Sequence, residues 1–409
     1  MNRLSYKLLP IIILLSGPPA FRKMADTNNI LTATVDIWII YQIIGYMLAL
    51  FLMFKYRNKY INFDKNIYDY LIFLNFFSLL VSCLISDDIV TSAAYTFLYS
   101  IGVYFYYYSK KFYFDVNEDS IIQVYILIRN VFLSLLLIVL MFYLLTDGYV
   151  VAGYRISGGR IANVLIIAPI IFLISCFIST TSYNNLTNKI AIVLSLFFLF
   201  EAFSRSTWWS TILTTFLLYI KIFFYSANKS DTIKNQINFF LVVIFIILIF
   251  SLYFSDIKIY LTRGQDDVFS VSGRDVIAEW VFGYMKDNFF GLGLGTGFKR
   301  IFPFLTHFNP YEFENASIGT AHNAYLEILM SGGWMSLISF SFISILPLIY
   351  FIKNFKKIIN SNFYPLFILF VYSILNNMVN AQSTVPSYLI FSFSWFVLAL
   401  INLYIYRKK

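Results

Sequence analysis

The sequence is poor in charged residues, cysteine and histidine. Only 12% of its 409 residues are charged, about half the share typical of soluble domains, which excludes a soluble enzyme, a disordered chain and a fibrous repeat. The two cysteines, Cys83 and Cys176, lie far apart in apolar segments and form neither a disulfide framework nor a metal-binding motif. The sequence also has no internal repeat and no nucleotide-binding motif.

Apolar residues dominate instead, at 59% of the chain, and the mean hydropathy is +0.73. They form long continuous runs without the alternation of a β-barrel, and therefore predict an all-α polytopic membrane protein. The first run is short enough for a signal peptide, but no small-x-small cleavage site follows it, which favours a retained helix. The twelve predicted spans are 8–21, 35–54, 68–86, 90–108, 121–145, 161–180, 188–203, 207–226, 237–255, 323–350, 363–380 and 386–406.

The distribution of lysine and arginine predicts how these spans are oriented. If the N-terminus is cytoplasmic, the short cytoplasmic loops hold most of the basic residues, as the positive-inside rule requires, and both termini face the cytoplasm. The chain then divides into spans 1–9 over residues 1–255, a large outer loop over 256–322, and spans 10–12 over 323–409. The cytoplasmic loops account for the net charge of +9, so we expect the lipid bilayer, and no nucleic acid, as a partner.

The large loop holds both histidines of the chain and carries one predicted helix. Ser272 and Asp275 fit a capping box that begins a helix over about 273–287, with Arg274 in its first turn. A glycine-rich run over 291–297 follows and matches neither of the common phosphate-binding glycine patterns. The apolar residues that recur at helical spacing, and that we expect to face the helix bundle, are Ile277, Trp280, Val281 and Tyr284.

Four arginines share the predicted outer side of the membrane. Arg205 lies at a tight turn between two spans, Arg155 and Arg160 lie close together in an earlier loop, and Arg274 begins the loop helix. A guanidinium near hydrocarbon needs a partner, and its planar fork suits a phosphate. The four arginines predict a site for a diphosphate whose lipid tail stays in the bilayer. The alternative is contact with lipid headgroups or internal ion pairs, for example between Arg205 and Glu201 four residues earlier.

His322 stands where the large loop re-enters the membrane. A histidine in that setting suits a general base near neutral pH; the alternative is a histidine that satisfies backbone groups at a helix start. His307 has no such setting and is interpreted as a loop residue. The acidic pairs Asp266-Asp267 and Asp87-Asp88 are isolated, so the sequence predicts neither a metal site nor another cofactor.

Four short motifs follow one another in the second half of the chain. They are Ser204-Arg205-Ser206 before Trp208-Trp209, Gly273-Arg274 before Trp280, Gly291-x-Gly293-x-Gly295, and His322-Asn323-x-Tyr325-Leu326 before Gly332-Gly333. Together these motifs resemble the O-antigen polymerase and O-antigen ligase superfamily of bacterial inner membranes, over about residues 150–345. An earlier element, Arg155 followed by Arg160-Ile161-Ala162-Asn163, resembles the superfamily more loosely, because Asn-Val stands in place of the usual Asn-Pro-Asn.

The resemblance implies a metal-independent, inverting glycosyltransferase whose donor is a glycan on undecaprenyl diphosphate and whose active site faces the periplasm. It implies that Arg205 and Arg274 bind the diphosphate, that His322 activates the acceptor hydroxyl, and that a separate chain-length regulator protein is a partner. The residues that we predict to bind substrate beside them are Arg155, Arg160, Trp280, Asn323 and Tyr325.

Two enzyme activities and one transport activity remain open. A polymerase joins lipid-linked repeat units, whereas a ligase transfers the finished glycan to lipid A-core. The glycine-rich run and the sequence His-Asn-Ala-Tyr-Leu-Glu look more like polymerases, and the Phe-, Tyr-, Ile- and Asn-rich composition is typical of AT-rich surface-polysaccharide gene clusters, so the polymerase is favoured. A lipid-linked sugar flippase is disfavoured because mid-span charges are few, Arg129 being the clear one.

Overall fold

A computed structural model of the chain describes part of the sequence, and this part is helical. The described residues are 47, 51, 65–113, 116–145, 162–201, 205–224, 274–296, 323–378 and 389–407.

We number the helices of the described residues α1 to α11 in chain order. They are α1 (Ile67–Ile85), α2 (Ile89–Phe112), α3 (Glu118–Leu145), α4 (Ala162–Ile178), α5 (Leu186–Glu201), α6 (Arg205–Phe224), α7 (Arg274–Met285), α8 (Ala324–Lys353), α9 (Phe355–Ile359), α10 (Tyr364–Asn377) and α11 (Leu389–Arg407).

The helices follow the predicted spans closely. The six predictions from 68–86 to 207–226 coincide with α1 to α6, and the last three coincide with α8, α10 and α11. The predicted spans 8–21 and 237–255 lie outside the described residues, as does nearly all of 35–54. The described helices that are long and apolar enough to cross a membrane are Ile67–Ile85, Ile89–Lys111, Glu118–Leu137 and Ala324–Lys353, and four further apolar helices are shorter.

Most helices pack into one bundle around a shared core of buried apolar side chains. Within it α1 lies along α8, α2 along α11, α4 against α3 and α5, and α6 against α10. The α2–α11 contact is very close at Gly102, where an added Cβ would stand 2.4 Å from the Phe391 ring. The helix α7 packs outside this core, in a second apolar cluster with α8.

A buried polar cluster joins the ends of α1, α2 and α11. Asn66 caps α1 in a capping box with Asp69, and its side-chain Nδ2 donates to Asn402 Oδ1 at 2.8 Å. The Asp69 carboxylate accepts a bond from Lys110 Nζ at 2.7 Å, and both side chains of this ion pair are almost fully buried. Such a pair is tolerated in an apolar bundle because each charge has a close partner.

Arg129, the mid-span charge, is buried between α3 and α5. Its Nη1 donates to Asn188 Oδ1 at 3.0 Å and its Nη2 to Asn130 Oδ1 at 2.8 Å. Asn188 Nδ2 in turn donates to the Ser175 carbonyl at 3.0 Å, which extends the contact to α4. The described contacts of this guanidinium therefore tie helices together.

Candidate active site

The predicted loop helix exists and packs through the predicted face. It spans Arg274–Met285, close to the expected 273–287. Ile277 and Val281 are buried, and Trp280 and Tyr284 are half-buried against the same cluster. The apolar side chains that α8 supplies to this cluster are Leu326, Leu329 and Met330.

Trp334 fixes the C-terminal end of α7 on α8. Its indole Nε1 donates to the Met285 carbonyl at 3.0 Å, and its ring lies 6.1 Å from that of Phe282, between centroids. The cluster extends from there to Leu326 in the first turn of α8. The helix that begins at Arg274 therefore lies beside the N-terminal part of the helix that follows His322.

The helix α8 is broken at Gly333, whereas a single continuous span over 323–350 was expected. Gly333 has φ 73° and ψ −168°, a conformation that is essentially confined to glycine. Met330 O and Trp334 N, which pair with each other in an uninterrupted helix, here bond to the preceding loop. Met330 O accepts from Leu292 N at 2.7 Å, and Trp334 N donates to Phe289 O at 3.2 Å.

The two predicted glycine motifs meet at this break. Gly291 and Gly293 both have positive φ, at 84° and 95°. An added Cβ would stand 2.5 Å from Gly333 N if it were on Gly291, and 2.1 Å from Phe289 O if it were on Gly333. The two motifs, which are well separated in sequence, are therefore one structural feature, a close crossing of the loop and the broken helix.

The backbone of the glycine-rich run faces protein at this crossing. Gly291 N donates to Asn288 O at 3.2 Å, and Gly293 N donates to Ser331 O at 3.1 Å. These amides hold the loop in place, and they are not directed at a phosphate as those of a P-loop are.

Two serines of α1 and the serine that caps its C-terminal end complete the crossing, and the sequence interpretation missed them. Ser82 Oγ accepts a bond from Gly293 N at 2.8 Å and donates to the Ser331 carbonyl. Ser78 Oγ donates to the Gly332 carbonyl, and Ser86 Oγ lies 3.3 Å from Thr296 Oγ1. Their spacing of four residues, which places Ser78 and Ser82 on one face of α1 and Ser86 just beyond its end, was the available signal. We call residues 289–296 and 330–334, together with these serines, the glycine junction.

Asn323 forms the start of α8. Its Oδ1 accepts from Tyr325 N at 2.9 Å and from Leu326 N at 3.2 Å, and its Nδ2 donates to the Met378 carbonyl at 2.9 Å. The cap thus satisfies two first-turn amides that the alternative interpretation left to His322. It also joins the start of α8 to the end of α10.

The remaining predicted site residues differ in how far they are described. Tyr325 is half-buried and packs edge-on against Phe340, with 5.4 Å between ring centroids. Arg205 and Arg274 are the first residues of α6 and α7, and their side chains are not among those described. His322, Arg155 and Arg160 lie outside the described residues, so their predicted roles stay predictions.

Residues 190–341 match the protein-family model described as O-antigen ligase. The matched segment contains Arg205, α7, the glycine-rich run, His322 and both halves of the α8 break, whereas Arg155, Arg160 and α1 precede it. No curated protein matches the chain. With its apolar helices, the chain is a multi-pass membrane protein. Residues 190–341 form an O-antigen ligase family domain, which confirms the resemblance to the O-antigen polymerase and ligase superfamily.

Proposed function

We propose that the protein is an O-antigen polymerase of the bacterial inner membrane, a glycosyltransferase of lipopolysaccharide biosynthesis. It joins repeat units carried on undecaprenyl diphosphate at the periplasmic face. The observation that carries this proposal is the packing of two helices within the segment that matches the family model. The helix that begins at Arg274 lies beside the start of the helix that follows His322.

The reaction needs a cation and a base, and the two helices supply one of each. The lipid diphosphate is the leaving group and gains negative charge as the glycosidic bond breaks. Arg274, together with Arg205 at the start of α6, stabilises that charge, and preorganised cations do this best in a site that excludes water. His322 takes the proton of the acceptor hydroxyl. The bond energy already resides in the diphosphate ester, so the reaction consumes no ATP.

A ligase is the second candidate, because the matched family is described as O-antigen ligase. The donor chemistry is the same in both reactions. The acceptor differs: a polymerase uses a second lipid-linked unit, whereas a ligase uses lipid A-core.

A flippase is supported less well. Its transport path would need charged side chains within the spans. The clear mid-span charge, Arg129, is 2% exposed and is held by the amides of Asn130 and Asn188. A guanidinium bound in this way supports a structural role.

The test is the lipopolysaccharide ladder of the host strain with the gene deleted. Core capped by a single repeat unit identifies a polymerase. Bare core, with long glycan accumulating on the lipid carrier, identifies a ligase. An unchanged ladder contradicts both activities for lipopolysaccharide.

The two histidines provide a matched pair for complementation of that strain. His322→Ala should fail to restore the ladder, because the acceptor hydroxyl loses its base. His307→Ala removes the other loop histidine and should restore it. If purified His322→Ala protein transferred glycan at the wild-type rate, the proposed enzyme mechanism would be wrong.

A further inference from the structure

We infer that Ser82 is a positioning residue for glycosyl transfer, which it supports from outside the family domain by holding the glycine junction together. The inference rests on the proposed function. Ser82 touches neither donor nor acceptor in this scheme, and it acts through the two helices that the junction joins.

The Ser82 hydroxyl connects three segments of the chain. It belongs to α1, accepts from Gly293 N of the loop at 2.8 Å, and donates to Ser331 O at the α8 break. The side chain is fully buried, so water does not replace these bonds when the hydroxyl is removed. Gly293 N also donates directly to Ser331 O at 3.1 Å, so the Ser82 hydroxyl is the group that ties this pair to α1.

The other two serines link fewer segments. Ser78 Oγ donates to the α8 carbonyl of Gly332, and this bond does not involve the loop. Ser86 Oγ reaches the loop at Thr296, over a longer 3.3 Å. Ser82 is therefore the member of the set that bonds to both the loop and the broken helix, and its removal detaches both from α1.

The junction, together with the apolar cluster between the two helices, sets how α7 and the first part of α8 lie relative to each other. The loop that leaves Met285 enters the junction within a few residues, and the first part of α8 ends there at Gly333. The far ends of these two segments are Arg274 and the cap Asn323, which follows His322. Helices move largely as rigid rods, so a shift at the junction changes the distance between the arginine and the base. A misplacement of about 1 Å in such a pair can slow a reaction about 100-fold.

The substrate for the test is the lipid-linked repeat unit extracted from the deletion strain, and the enzyme is the purified full chain. Ser82→Ala should lower kcat at least about tenfold and leave KM for the donor within about threefold. The reason is that substrate still binds, while the distance between Arg274 and His322 has changed. Hydrogen exchange of residues 286–296 should become faster, since Gly293 N loses the nearer of its two acceptors and keeps only Ser331 O.

Ser339→Ala is the matched control. Ser339 is equally buried on α8, but its hydroxyl bonds only within its own helix, to Met335 O and Ser336 O. It should keep the wild-type kcat and the wild-type exchange of 286–296. An equal loss of kcat in both variants would overturn the inference in favour of a general effect of buried serines.

Ser82→Thr and Ser82→Val separate the hydroxyl from the shape of the side chain, and they replace the alanine variant if that one fails to fold. The two new side chains have nearly the same volume, and only threonine keeps the hydroxyl. Threonine should retain much more activity than valine. Equal kcat in the two variants, with active wild-type protein, would refute the role of Ser82 and leave the proposed function standing. Inactive wild-type protein would refute the proposed function itself.

Discussion

Replacing Gly333 by alanine should break the glycine junction and lower both stability and activity. Gly333 has φ 73° and ψ −168°, and its backbone crosses the loop so closely that an added Cβ would stand 2.1 Å from Phe289 O and 2.6 Å from the carbonyl carbon of Phe290. Both contacts are with backbone, which cannot rotate away. The loop must therefore separate from α8.

The expected cost follows from two contributions. An alanine held in a conformation suited only to glycine costs about 1–3 kcal/mol. Separation of the loop also loses the bonds Leu292 N to Met330 O and Trp334 N to Phe289 O, at about 1 kcal/mol each. The free energy of unfolding should fall by about 3–5 kcal/mol.

Gly283→Ala is the control for this prediction. Gly283 lies within α7, and an added Cβ would meet no atom within 4 Å. Alanine is the better helix former by about 0.5–1 kcal/mol, so this variant should be slightly more stable than wild type.

The measurement is unfolding of the purified protein in mixed micelles with increasing SDS, followed by circular dichroism, together with the transfer assay. Gly333→Ala should shift the midpoint down and lose most of its transfer activity, whereas Gly283→Ala should do neither. A Gly333→Ala protein that unfolds at the wild-type midpoint would show that the loop and the broken helix are not held together in this way.

Three further predictions concern other contacts between the described helices. Gly102→Leu should destabilise the protein by about 1–3 kcal/mol, because its side chain would overlap the Phe391 ring; a thermal unfolding midpoint at the wild-type value would contradict the close α2–α11 contact. Asp69→Asn should cost about 3–5 kcal/mol, since it leaves the Lys110 charge buried without its carboxylate, and the double variant with Lys110→Met should recover much of this in SDS titration. Asn323→Ala should cost about 1 kcal/mol through loss of the helix cap, while Asn323→Asp keeps the cap acceptor and should stay closer to wild type; equal losses would show that the cap is unimportant.

Hydropathy and helical periodicity were sufficient to locate most of the described helices. The span edges agree because the apolar runs end in polar residues, and α7 was found from the spacing of Ile277, Trp280, Val281 and Tyr284. The break at Gly333 was missed because apolar residues lie on both sides of it, so a hydropathy profile continues across the break. The motif Gly332-Gly333 was recognised only as a family signature.

The sequence singled out the charged residues of the candidate site, but it did not reveal the serine contacts that hold the surrounding helices and loop together. Arginine and histidine are rare in apolar segments, so each one is conspicuous. Serines such as Ser82 are common in membrane helices, where a hydroxyl can bond to the carbonyl of its own preceding turn. Sequence alone does not separate those from a serine that bonds to another segment, because the distinction depends on which helix lies opposite.

The glycine junction also includes residues outside the segment that matches the family model. The family match covers residues 190–341, which include the loop helix, the glycine-rich run and the break in α8, yet the hydroxyls that close the junction belong to Ile67–Ile85. A broken helix inside a membrane is stable only if other groups satisfy its freed carbonyls, and here Ser78 and Ser82 bond to two of them. The matched segment is therefore structurally incomplete without α1. Expressed alone, it would lack the hydroxyls of Ser82 and Ser78 that bond to the carbonyls of Ser331 and Gly332.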